Sequence, residues 1–192
     1  MQPTVLSFPA RHNPLQNRGV AIATLTPESD PSFLLPLYEA AVAPYVLPKQ
    51  DRPEFVALFR GESSVRIVAT RQSTGAPLGF ALAAPVHSFQ ELANALRFDR
   101  YVPNAREMVD AGDTWALIVS VGPSAPLQGI GRALANQALV AMVGSGARYV
   151  FVAVRSSELA LASRLYESGF SRDGTSNDDR RILLSRTAAF TF

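Results

Sequence analysis

The chain has no cysteine, only two histidines (His12 and His87) and a single lysine (Lys49). Without thiols it can form no disulfide, no thiolate metal site and no cysteine nucleophile. Two histidines in separate segments offer no ligand cluster, so no metal is expected. Long apolar runs are missing as well. The longest, Ala138 to Val154, is broken by "GSGAR", and no segment reaches the roughly 20 residues that cross a bilayer. The opening stretch, "MQPTVLSFPARHNPLQNRG", lacks the continuous apolar centre of a signal peptide and carries prolines where such a helix needs continuity. Charge of one sign is also scarce. With 18 basic and 16 acidic residues the formal charge is +2, and the arginines are scattered without a run, so no nucleic-acid surface is expected. Together these absences predict a cytoplasmic protein that spans no membrane. The preference for arginine, 17 against one lysine, suits a GC-rich bacterial genome.

What is present describes an ordinary globular protein. A length of 192 residues and an apolar fraction of 47% suffice for one sizeable core. The expected organisation is an N-terminal tail over 1–18 and a single domain over 19–192. Val20 to Leu25 read as a strand, and Thr26 or Ser29 as the cap of a helix that follows. Leu34, Leu37, Tyr38, Ala41 and Val42 recur at helical spacing until Pro44 and Pro48 stop the run. A shorter helix, "PEFVALFRG", has Pro53 near its start and Gly61 at its end. Ser64–Arg71 and Pro77–Val86 form an antiparallel hairpin around "QSTGA". The polar stretch at about 87–112 reads as an inserted segment with one helix on Phe89, Leu92, Ala93 and Leu96 and a second short one. Thr114 to Pro123 is a buried strand. "GRALANQALVAMVGSG" is a helix closed by Gly144 or Gly146, and "RYVFVAV" a further strand. "SSELALASRLYESGF" is a helix capped by Ser156 or Ser157 and ended by Gly169. "SRDGTSNDDRRILLSRTAAF" finishes as strand, turn and strand. One βαβ crossover joined to an antiparallel first half implies a mixed α/β sheet.

The stretch "PSAPLQGIGRALANQAL", Pro123 to Leu139, places Gly129 and Gly131 between the apolar strand and a helix. At a helix start the first N–H groups have no partner within the helix, and glycines let an anion approach them closely. Each such charge-assisted contact is worth about 1.5–3 kcal/mol. A P-loop is excluded because no Gly-Lys pair exists, and the dinucleotide fingerprint fails because Leu134 stands where a third small residue is needed. The alternative is that the glycines only make a turn and allow close packing.

The wider pattern resembles a known family. "VGPSAPLQGIGRAL" keeps the V-x-P-x-x-[RQ]-x-x-G-x-[GA]-x-x-L spacing of the acyl-CoA loop of the Gcn5-related N-acetyltransferases (GNAT), and "LASRLYESGF" looks like that family's Ala-x-x-x-Tyr…Gly-Phe helix end. The resemblance implies a mixed, mostly antiparallel central sheet with flanking helices and acetyl-CoA as co-substrate. It assigns Val119, Ser120 and Val121 as neighbours of the pantetheine arm, lying along a splay between this strand and the next. It makes the amides of Leu127, Gln128, Gly129, Ile130, Gly131 and Arg132 pyrophosphate donors, and places Tyr166 near the sulfur. Two departures stand out. Pro126 replaces the Arg or Gln of the loop, which leaves Gln128 or Arg132 to supply that contact. One residue fewer separates Tyr166 from Gly169, a rotation of about 100° in a helix.

Acyl transfer to an amine needs a neutral nucleophile, and with a pKa near 10.4 only about one amine in a thousand is neutral at pH 7. A base must therefore take its proton. Strand amides can polarise the carbonyl. Tyr166 is the candidate acid for the leaving thiolate, or else an aromatic at the helix surface. His87 is the candidate base, or else a plain strand-end residue; the strand before the loop, "TWALIVSV", has no carboxylate. Asp110 and Asp113 flank that strand and suit either a cationic amine or a capped turn. The inserted segment is expected to cover the acceptor side. The implied activity is direct acetyl transfer from acetyl-CoA to a primary amine of a small molecule or peptide. The rival reading is a non-catalytic acyl-CoA-binding or regulatory domain. A homodimer is common in families of this kind.

Overall fold

The computed structural model describes residue 15 and residues 19–42, 48–98, 102–122, 129–155, 159–175 and 181–187. Seven strands form one sheet among these residues: β1 (Val20–Thr24), β2 (Val65–Arg71), β3 (Pro77–Val86), β4 (Thr114–Val121), β5 (Tyr149–Arg155), β6 (Ser171–Thr175) and β7 (Arg181–Thr187). Their spatial order is β1-β2-β3-β4-β5-β7-β6. Every neighbouring pair is antiparallel except β4 and β5, which run parallel. That exception follows from the chain path, because a helical crossover returns β5 in the direction of β4.

Both faces of the sheet are covered. On one lie α5 (Ile130–Gly144) and α6 (Leu159–Glu167). Ile130, Leu134, Ala138 and Met142 of α5 pack there with Trp115, Leu117, Val150 and Val152. On the other lie α1 (Leu35–Val42) and α2 (Pro48–Arg60), beside α3 (Phe89–Leu96) and α4 (Pro103–Asp110). Tyr38, Phe55 and Phe59 pack on Phe80 and Leu82, while Leu92, Leu96, Phe98 and Val109 pack on Val86, Ala116, Phe151 and Leu183. Alternation along β4 therefore sends Trp115 and Leu117 to one layer and Ala116 and Ile118 to the other. A strand with two covered faces has to be apolar throughout, which accounts for "TWALIVSV".

The structure corrects several expected boundaries. Pro48 opens α2 instead of stopping α1, and Pro53 lies inside α2, not near its start. The helical cap is neither Thr26 nor Ser29: these bond to each other in a turn. Asp30 does the capping, its carboxylate accepting from the Ser32 N–H ahead of a 3-10 turn at Pro31–Leu34. Aspartate is a strong cap, and the proline after it needs no N–H partner. Gly146, at φ +91°, is the left-handed residue that leaves α5, while Gly144 is its last helical residue. Pro44, Ser156 and Ser157 lie outside the described residues. The segment at 87–112 forms α3 and α4. Ser88 caps α3 by accepting from the Glu91 N–H, and the Glu91 carboxylate accepts from the His87 N–H at 2.8 Å, one residue before the N-cap N–H that a capping box uses. Arg181 donates to the carbonyls of Leu96 and Arg97, and Arg97 forms an ion pair with Glu54 of α2.

Candidate functional site

The site begins where the parallel ladder stops. Strands β4 and β5 are paired only from Thr114↔Tyr149 to Leu117↔Val152. Beyond that point β4 continues to Val121, held by β3 through Ile118↔Leu82, Val119↔Ala81, Ser120↔Phe80 and Val121↔Gly79. Strand β5 continues to Arg155, held by β7. The two strands thus part in the middle of the sheet, and the edge of Ile118–Val121 that would face β5 keeps its hydrogen-bonding groups for something else. Two contacts hold the parted segment in place. The Ser120 hydroxyl, in a residue only 8% exposed, donates to the Leu37 carbonyl of α1 at 3.0 Å, and the Gly122 N–H donates to the Leu78 carbonyl at 2.9 Å.

Helix α5 starts beside the open end. Its N-cap is Gly129, at φ +104°, and no side chain caps it. The left-handed backbone favours glycine. Among the described residues a Cβ built on Gly129 would meet nothing within 4 Å, whereas one on Gly131 would stand 3.2 Å from Cγ2 of Val121. So no described side chain crowds the front of the helix start at Gly129, and Gly131 lets that start sit against the end of β4. The first intrahelical bond runs from the Ala133 N–H to the Gly129 carbonyl. The cap provides no side-chain acceptor for the amides of Ile130, Gly131 and Arg132, and the helix dipole adds positive potential at this point. An extended ligand with an anionic end fits the arrangement: amides for the anion, and a parted strand edge for a chain bearing amide groups.

The candidate residues from the sequence separate into two places. Val119, Ser120 and Val121 line the parted strand, and Gly129, Ile130, Gly131 and Arg132 form the helix start next to it. Leu127, Gln128 and Pro126 lie outside the described residues. Val121 and Tyr166 are 42% and 43% exposed, two of only four exposed large apolar side chains among the described residues. Tyr166 is on α6, one residue past the buried Leu165, and the left-handed Gly169 ends that helix. His87 is elsewhere. It follows Val86, which pairs with Thr114, so about 13 Å of strand separates that level from Ile118. Asp113 is at the same far end, its carbonyl taking the N–H groups of Arg148 and Tyr149, and Asp110 pairs with Arg106 on α4.

Residues 34–170 match the family model described as "Acetyltransferase (GNAT) family". The chain belongs to the GNAT acetyltransferase family. No functionally curated protein matches the sequence. Solved structures share the fold. A Gcn5-related N-acetyltransferase from Kribbella flavida is 18% identical, with 89% of this chain and 99% of that one covered at a TM-score of 0.62. YncA of Salmonella typhimurium, a putative acetyltransferase solved with its cofactor acetyl-CoA, is 15% identical over 89% of this chain and 95% of its own, at a TM-score of 0.61. The ribosomal-protein-S18-alanine N-acetyltransferase of Escherichia coli is 17% identical over 90% and 96%, at a TM-score of 0.58. The parted strands and the open helix start thus lie within the sheet of a GNAT-family chain. No helix of the described residues is long and apolar enough to cross a membrane.

One part of the sheet's other face was not foreseen from the sequence. Between α2 and α3 lies a cavity of about 610 Å³ floored by Ala84, Pro85 and Val86. Its signal in the sequence is faint: small residues at Ala57, Gly61 and Ala95, which helical spacing alone does not bring face to face.

Proposed function

We propose that this GNAT protein transfers the acetyl group of acetyl-CoA directly to a primary amine. The observation that carries the reading is the parting of β4 from β5 next to an uncapped, glycine-opened start of α5. Acetyl-CoA supplies an activated acyl group and, at its far end, a pyrophosphate. The amides of Ile130, Gly131 and Arg132 suit the pyrophosphate, and the free edge of Val119–Val121 suits the amide-bearing arm. Strand N–H groups at Ile118–Val121 act on the carbonyl as fixed dipoles that need no reorganisation. In the transfer a C–N bond forms, the C–S bond breaks, and the proton lost by the amine is balanced by one gained at sulfur. Tyr166, partly exposed on α6, is the proposed donor of that proton. The segment Phe89–Ala111 belongs on the acceptor side in this reading, because α3 and α4 pack on the face that carries Ile118 and Ala153, the first residues past the ladder.

The test is calorimetric titration of the protein with acetyl-CoA, with adenosine diphosphate as the control for binding by the loop alone. Saturable one-to-one binding clearly tighter than the diphosphate, followed by thiol release with some amine, is the expected result. No binding up to millimolar acetyl-CoA ends the proposal. A binding-only module is favoured by one observation: β4 carries no titratable side chain, and His87 stands at the other end of β3. It predicts the same titration with no thiol released for any amine.

A further inference from the structure

The cavity between α2 and α3 has properties that bear on the acceptor, granted that the protein transfers an acetyl group as proposed above. Its volume, about 610 Å³, is of the size that encloses a small molecule. Small residues line it on every side: Ala57 on α2, Gly61 just past that helix, Ala95 on α3 and Ala84 on β3. Leu58 and Val86 complete a mostly apolar wall. Leu58 and Ile118 pack together into both clusters that meet on this face, so the cavity opens on the same side of the sheet as the first residue past the ladder. Tyr38 lines one end; it follows Leu37, whose carbonyl takes the Ser120 hydroxyl. That end therefore adjoins the parted strand.

The other end is acidic. Glu62 and Glu91 line it beside Val86 and Ser64, and among the described residues no lysine, arginine or histidine is in the lining. Glu54, nearer Tyr38, is already paired with Arg97. One oxygen of Glu91 is committed to the His87 N–H, which leaves its second oxygen and the Glu62 carboxylate available. Carboxylates hold a nearby ammonium in its protonated form, the wrong state for a nucleophile. Glu62 and Glu91 consequently suit a cation other than the reacting amine. The register gives the spacing: the floor at Ala84 pairs with Ala116, four residues from Ser120, about 13 Å along the strand.

We infer that this cavity is the acceptor pocket and that its preferred acceptor is a slender diamine, one ammonium held by Glu62 and Glu91 and the other amine reaching the parted strand past an apolar spacer. The test compares 1,8-diaminooctane with octylamine by thiol release from acetyl-CoA, and separately titrates 1,8-diaminooctane into the protein without cofactor. The expected result is a kcat/KM about tenfold higher for the diamine, mostly in KM, as for one added charge-assisted hydrogen bond. Glu62→Gln, at an exposed position, should remove that advantage by raising KM for the diamine far more than for octylamine. Ala57→Leu, which fills the rim of the cavity, should raise KM for both amines. Equal efficiency for the two amines, or a diamine preference untouched by Glu62→Gln, overturns the pocket while acetyl transfer stands. Saturable, Glu62-dependent binding of the diamine with no thiol released supports the pocket and overturns the transfer reading. Neither binding nor thiol release overturns the pocket and leaves the transfer reading to be decided by the acetyl-CoA titration.

Discussion

Between Thr114 and Leu117, strand β4 is paired on both edges, to β3 and to β5; between Ile118 and Val121 it is paired to β3 alone. The two halves are alike in composition, "TWAL" and "IVSV", and their side chains fill the same two layers by the same alternation. They differ in what ends nearby. The first half lies beside the return of β5 after Gly146. The second is drawn to α1 by the Ser120–Leu37 bond and abuts the start of α5 at Val121. A strand edge left unpaired inside a sheet costs hydrogen bonds unless something else satisfies them. Here the same half that gives up its neighbour gains an open helix start, so the loss of pairing and the means of recognition are in one place.

The largest effect expected on this comparison is at the helix start. Gly129→Glu puts a carboxylate before the amides of α5 and should abolish acetyl-CoA binding in a calorimetric titration. Gly129→Ala, which imposes only the left-handed backbone, about 1–2 kcal/mol, should bind more weakly yet measurably. Retained tight binding by the Glu variant would show that the second half of β4 recognises the ligand without α5. Next in size is Tyr166→Phe. If its hydroxyl protonates the leaving sulfur, kcat falls about 100-fold or more with the dissociation constant of acetyl-CoA unchanged; an unaltered kcat assigns Tyr166 to the surface of α6.

Ser120→Ala removes the bond that ties the parted half to α1. A loss of about 1 kcal/mol should lower the melting temperature by about 2–4 °C, together with a few-fold weaker hold on acetyl-CoA; a change in neither separates α1 from the site. The smallest effect serves as a control remote from β4. Asp173 is at the bulge of β6, with one carboxylate oxygen buried and without a hydrogen-bond partner. Burial raises its pKa above the ordinary 3.8, against a lowering contribution from Ser185. The folded state thus binds this proton more tightly than the unfolded chain does, and stability falls as pH rises from near 3.8 through the raised value. Asp173→Asn should stabilise the fold at neutral pH by less than about 1 kcal/mol given the partial exposure, read as a higher melting temperature. The gain should vanish in acid, with acetyl-CoA binding unaltered throughout. A gain that persists in acid would refute the titration account.

Much of the fold was legible because its signals are local. Alternating or fully apolar runs gave β2, β3, β4, β5 and β7, and helical spacing gave α3, α5 and α6. Signals that two neighbouring residues can both provide were misassigned: Asp30 caps where Thr26 and Ser29 also qualify, and Pro48 opens a helix at a place where a proline equally ends one. Of the site, the glycines and the strand before them were visible as a spacing. The distance of His87 from that strand's far end was not, because it depends on the pairing of Val86 with Thr114.

By itself, then, the sequence determined which segments are strands and helices, that both faces of the central strand are buried, and that a helix begins at glycines after it, since backbone propensity and side-chain period are properties of a few consecutive residues. Tertiary structure alone decided where β4 leaves β5, which residues share the parted end, and that Ala57, Gly61, Ala84 and Ala95 line an open cavity together with Glu62 and Glu91. Those outcomes rest on register and on the approach of elements distant in the chain, and a small side chain leaves a void only when the piece opposite it is small as well.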